Sequence, residues 1–395
     1  MHTIRLVVLM GMTAMACRAW SQTPHLYWTD TGTDKIQRAK IDGANVEDLV
    51  TFPGSTQEPA AFTLDPKAGK MYWIDAGSNK IQRANLDGTA IEDLLPGGVD
   101  EPADLALDAV RQRMYWTDGA AIFRSHLDGS SVEEVMRFFP DRPSQIVIDA
   151  TGGKLYWVST EEGAGFVSVA IRRANLDGGA IENLVESDLV FPTDLMIDAA
   201  AEWLYVADVG TAGRGRILRI ELNSFFVETL IPENAMIEPW GLALDEAHGR
   251  VYWSDNRNTS DNGSIRSANL DDGTDIASVV GIGLQFPTAL ALDVITPTAI
   301  NETPSVPVRP HLSSPWPNPF QSTTTFTLIL PRSMPVMVRI FDMLGREWLR
   351  LNKGTIPGST EQHFTIDGTG LPDGVYLIMV GGEGMAFVRK LVRIR

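Results

Sequence analysis

The chain's 395 residues hold six His, one Cys and 50 acidic side chains, and these limit the chemistry it can do. Cys17 lies in an apolar N-terminal segment expected to be removed, so the mature chain is left without a thiolate nucleophile, a disulfide or a thiolate metal site. His2 is in that same segment, and His311 and His363 fall near the C-terminus. The remaining His25, His126 and His248 are far apart; no pair has zinc-ligand spacing, and none stands beside a Ser in a nucleophile elbow. That leaves carboxylates. Asp104 and Asp194 occupy equivalent places in two copies of a repeated segment, and a shared Ca2+ ion is the one metal reading they support. The alternative is an acidic surface with no acid/base partner, and the chain is therefore taken as non-enzymatic and without a cofactor.

The repeats that position these residues are explicit. A Tyr-led tetrapeptide recurs at Tyr27, Tyr72, Tyr115, Tyr156, Tyr205 and Tyr252, most often as Tyr-Trp-x-Asp, at spacings of 45, 43, 41, 49 and 47 residues. A strand-like element ending in Asp precedes the last five, as in Pro102-Ala103-Asp104-Leu105-Ala106-Leu107-Asp108, and its Asp is always seven residues before the Tyr. A fixed interval of this kind implies a fixed hairpin. A third element follows, typified by Arg83-Ala84-Asn85-Leu86-Asp87-Gly88, whose Asp-Gly is expected to form a two-residue turn with positive φ at both positions before a short fourth strand.

Four-stranded units of this size cannot bury both faces alone and must stack on each other. The first tetrapeptide has no Pro-to-Asp strand before it, whereas a sixth such strand, Pro287 to Asp293, has no tetrapeptide after it. Pairing the two half-units closes a ring of six blades and removes the exposed edges. The tetrapeptides in register resemble the YWTD β-propeller of the low-density lipoprotein receptor family over residues 23–293. The cysteine-rich modules that flank that propeller in animal receptors have no counterpart here, so the resemblance implies the fold and nothing about lipoprotein binding.

A residue repeated in every unit is first a scaffold residue. Asp30, Asp75, Asp118, Asp208 and Asp255 are expected to make blade-to-blade hydrogen bonds, and Trp28, Trp73, Trp116, Trp157 and Trp253 to pack between blades. Function is sought where units differ, on loops held by the rigid frame. The connection after the tetrapeptide is short in the first three units and long in the last three (Ser159 to Ile171, Asp208 to Ile217, Asp255 to Ile265), which raises a wall on one half of the ring. After each repeated Pro stand Ala60, Ala103, Ser144, Thr193, Trp240 and Thr288, so Trp240 is the one large aromatic at the channel mouth. Glu58, Glu101, Asp104, Asp194 and Glu238 make that mouth acidic. The expected binding face is Trp240, Glu238, Asp104 and Asp194 with Arg214, Arg216, Asn256, Arg257 and Asp261 from the long loops, suited to a protein or peptide carrying a basic or aromatic residue. Trp240 as a plug of the channel is the competing reading. The calcium alternative would make the chain a hydrolase or lactonase-like enzyme with Asp104 and Asp194 in the channel.

Arg5 and the apolar run Leu6 to Ala16 read as an export signal, too short to span a bilayer. Cleavage after Ser21 gives boundaries of 1–21 for the signal and 22–293 for the propeller; acylation of Cys17 is an alternative. Prolines mark a linker at 294–312, and alternating strand-like runs fill 313–395 as a small β-sandwich. Within it Pro317-Asn318-Pro319-Phe320, Asp342-Met343-Leu344-Gly345-Arg346, Leu371-Pro372-Asp373-Gly374-Val375-Tyr376 and Arg389-Lys390-Leu391-Val392 resemble the type A C-terminal sorting domain of the type IX secretion system of Bacteroidota. That resemblance implies an address read by the secretion machinery, with the protein then released or attached at the cell surface. Residues 302–395 carry 10 basic and 7 acidic side chains, leaving 23 basic against 43 acidic for the rest. Nucleic acid is excluded as a partner by that acidity. The whole reads as an all-β, secreted or surface-attached monomeric binding propeller with no transmembrane segment in the mature chain and a protein or glycan ligand.

Overall fold

The computed structural model describes residues 24–52, 59–95, 98–163, 166–186, 189–211, 214–235, 237–256, 263–293, 311–313, 315–330, 333–357, 362–382 and 385–394. The expected signal segment and nearly all of the expected linker lie outside them. Six four-stranded antiparallel sheets form the propeller. Blade 2 runs Pro59–Asp65, Lys70–Asp75, Lys80–Asn85 and Glu92–Leu95, and blades 3 to 6 repeat this order from inner strands starting at Pro102, Arg142, Pro192 and Pro239. Blade 1 is the composite one. Its inner strand Pro287–Leu292 comes from the end of the array and pairs with His25–Asp30, Tyr27 opposite Ala291 and Trp28 opposite Leu290. Each inner strand packs on the next, and that of blade 1 packs on that of blade 2, so the ring is closed.

The two repeated Asp residues explain the constant spacing. Asp65, Asp108, Asp149, Asp198 and Asp245 each accept the backbone N–H three residues on, which caps the turn into the Tyr-Trp strand. The tetrapeptide Asp instead holds the connection arriving from the previous blade: Asp118 accepts from the Asp100 and Glu101 amides, Asp208 from Phe191, Asp255 from Glu238 and Asp30 from Gln285 and Phe286. Between blades the Trp side chains are fully buried, as expected, with Trp116 of blade 3 packed on Tyr72 and Ile74 of blade 2. A second tie was not read from the sequence. The third-strand arginines Arg38, Arg83, Arg124, Arg173 and Arg219 each donate to the carbonyl of Leu86, Leu127, Leu176, Leu222 and Leu270 in the following blade.

The Asp-Gly turns differ from the two-residue form expected. Gly43, Gly88 and Gly129 donate to the residue three back and take positive φ, while the preceding Asp does not; its side chain accepts the amide two residues on. The second positive φ falls at Asn45, Ala90 and Ser131. The wider turn has a packing reason: a Cβ on Gly88 would run into the Leu49 carbonyl of the neighbouring blade's outer strand.

The C-terminal module is a sandwich of a three-stranded and a four-stranded sheet around Phe320, Phe326, Val338, Ile340 and Ile378. It opens with His311–Leu312, paired to Thr323–Ile329, so these two residues belong to the sandwich and not to the linker.

Candidate functional site

A channel of about 660 Å³ runs along the ring axis, lined by the six inner strands from Thr31 and Trp240 at one mouth to Glu246 and Ala247 at the other. Ala60, Ala103, Thr193, Trp240 and Thr288 line it as expected, with Gln145 in place of Ser144. Asp104 and Asp194 line it too, but each is engaged by the backbone. Asp104 accepts from the Leu105 amide at 2.8 Å and from Ile146 of the next blade at 2.8 Å; Asp194 accepts from Leu195 at 2.7 Å and from Leu242 of its next blade at 2.7 Å. They are clips between inner strands. Burial drives the Asp104 carboxyl up to about 7, and burial together with the charge of Asp104 raises Asp194 well above the ordinary carboxylate range. The mouth is also less acidic than its composition implies because Glu101 forms an ion pair with Arg142 at 2.5 Å.

Trp240 does not stand alone. Phe191 meets it edge-on with ring centres 6.3 Å apart, and Phe286 at 5.2 Å. Phe191 is 56% exposed and Phe286 38%, while Trp240 is half-buried between them. Both phenylalanines sit directly before the repeated Pro, a position held extended by the proline ring and fixed at its amide by Asp208 or Asp30. The sequence reading overlooked them, although comparing the residue before each repeated Pro (Glu58, Glu101, Arg142, Phe191, Glu238, Phe286) would have isolated two aromatics flanking Trp240.

The other expected residues divide. Arg214 is exposed near this rim and Glu238 is half-buried beside Trp240. Arg216 is drawn back onto Asp208 at 3.1 Å. Asn256 is buried, its Nδ2 donating to the Pro287 carbonyl at 2.9 Å, which ties blade 6 to blade 1 and removes it from the binding face. Arg257 and Asp261 lie outside the described residues. The long connection of blade 4 is strand rather than loop, the ladder continuing to Gly163 opposite Phe166. Among the described residues no group of three or more His, Cys, Asp or Glu side chains is placed to hold a metal ion.

Comparison with known families agrees with this geometry. The model of the low-density lipoprotein receptor repeat class B matches residues 25–66 and 69–109, and that of the secretion system C-terminal sorting domain matches 314–395. The chain thus carries class B repeats in its propeller and a sorting domain at its C-terminal end. Among solved structures, nidogen in the crystal structure of the nidogen/laminin complex superposes with a TM-score of 0.57 at 19% identity, covering 69% of this chain and 98% of that one. TolB from Acinetobacter baumannii follows at a TM-score of 0.54 and 13% identity, covering 69% and 66%. At these identities the likeness establishes the propeller fold alone. No curated protein sequence matches the chain. The sorting tail marks the propeller for export, and among the described residues no helix is long and apolar enough to cross a membrane.

Proposed function

We propose that this secreted class B propeller is a non-enzymatic binding protein that takes a protein or glycan ligand on the face formed by Phe191, Trp240 and Phe286. The observation that carries the reading is this aromatic row, left open to solvent on a frame that fixes two of its three backbones through Asp208 and Asp30. Rigid aromatics lose little side-chain freedom on binding and supply large apolar contact, which is why they dominate binding hot spots. A partner with an aromatic or aliphatic anchor fits best, with Glu238 and the Glu101–Arg142 pair as polar rim. A chain of the same fold occurs in a complex of two proteins, nidogen and laminin. The sorting tail implies that the type IX machinery delivers the propeller to the cell surface or the medium.

The calcium-dependent hydrolase reading draws less support, since both aspartates already accept two backbone N–H bonds as clips between inner strands. The test is capture of cell-surface proteins and glycans by the full mature chain and by its Trp240→Ala variant in parallel. A ligand held by the first and lost by the second supports the site; ligands retained equally by both contradict it.

A further inference from the structure

The bottom of blade 5 departs from the repeat. In blades 2, 4 and 6 the tetrapeptide strand opens with a cation facing an Asn on the third strand: Lys70 donates to Asn85 at 2.7 Å, Lys154 to Asn175 at 2.7 Å and Arg250 to Asn269 at 3.0 Å. In blade 5 the pair is Trp203 opposite Glu221, with Glu202 one residue earlier. Arg219 lies over the Trp203 ring at 4.5 Å and is ion-paired with Glu228. Glu221 is buried and accepts from Ser224 Oγ, while of half-buried Glu202 the Oε2 atom is buried with no hydrogen-bond partner.

The cation at this place comes from the sorting module. Arg389, on the strand Met385–Arg393, is only 8% exposed and its Nε lies 3.1 Å from Glu221 Oε1. The approach is angled, a charge pair rather than an aligned N–H bond. Its Nη2 donates to the Leu312 carbonyl at 2.6 Å, which fixes the guanidinium at the rim of the sandwich. Arg389 shares the inward-facing side of its strand with Leu391, a member of the sandwich core. Burial lowers its pKa from the usual guanidinium value, and Glu221 and then Glu202 oppose that shift. Arg389 and Glu221 therefore bring opposite buried charges together where module and blade meet, and removing one of them leaves the other's charge at a cost.

We infer that the bottom of blade 5 is a docking socket for the chain's own sorting module, in which Glu221 and Glu202 receive Arg389. This socket is at the strand ends opposite Trp240, so docking leaves the aromatic face open while the address is attached.

The full mature chain tests this by small-angle scattering and scanning calorimetry. Glu221→Arg alters only the propeller side; it is expected to increase the maximum dimension and to split off the module's melting transition at a lower temperature. Glu221→Arg combined with Arg389→Glu restores opposite charges and is expected to return both readouts toward the native values. Scattering and melting that are the same for native chain and Glu221→Arg would overturn the socket. A double variant no better than Glu221→Arg, with the module's transition still present, would overturn the pairing of these two residues. If the double variant loses that transition, the sandwich has unfolded for its own reasons and the Glu221→Arg comparison decides.

Discussion

At the scale of single residues, Asp104 and Asp194 show how far a composition argument carries. Their place in the channel was legible because the repeat aligns them with Ala61, Gln145, Gly241 and Ala289. Their role was not, because the partner of each is a backbone amide in another blade, invisible in a list of side chains. The raised pKa values give a pH dependence with a definite sign. A carboxyl that binds its proton more tightly folded than unfolded stabilises the fold below its unfolded pKa, and this contribution is lost as pH rises through the folded value, here about 7 for Asp104. Between pH 5 and 8, urea midpoints of the native chain are therefore expected to fall relative to those of the Asp104→Asn/Asp194→Asn variant. Parallel pH profiles would refute this. Asp104→Ala has a separate cost: it strands the Ile146 amide, and a loss of about 1–3 kcal/mol is expected in equilibrium unfolding.

At the scale of strands and turns, most of the structure is legible in the repeat: four strands per unit, a hairpin at the seven-residue interval and a composite blade. What the repeat could not show is why a turn is widened or a loop is strand. Gly88 is needed because its neighbour is the Leu49 carbonyl of another blade, a contact between units rather than within one. Gly88→Ala is accordingly expected to cost more than about 2 kcal/mol, the left-handed φ of +81° adding to the clash. Chemical denaturation would measure this, and a neutral result would mean that the blades are not packed this closely. The hairpin of blade 4 was read as a loop because its sequence departs from the repeat there, although the chain keeps pairing to Gly163 and Phe166.

At the scale of the whole molecule, one carboxylate links closure of the ring to the ligand face. Asp30 holds the amides of Gln285 and Phe286, so it helps to fasten the last segment of the array to the first and at the same time orients one of the three face aromatics. Asp30→Ala removes these two charge-assisted bonds together with those from the Gly32 and Thr33 amides, and is expected to lower stability by about 3 kcal/mol or more and also to weaken binding at a distance from its own side chain. That a separate C-terminal module follows the repeats was legible from its motifs, whereas the socket in blade 5 was not, since its two halves are 168 residues apart, at Glu221 and Arg389. The proposed ligand face is the row Phe191, Trp240 and Phe286. The most direct measurement is titration of a captured ligand against the native chain, Trp240→Ala and Val110→Ser, the last at an exposed site in a turn at the far ends of the strands. Trp240→Ala is expected to lose about 2 kcal/mol or more of binding free energy and Val110→Ser none. Equal affinity for all three would contradict the assignment of this face.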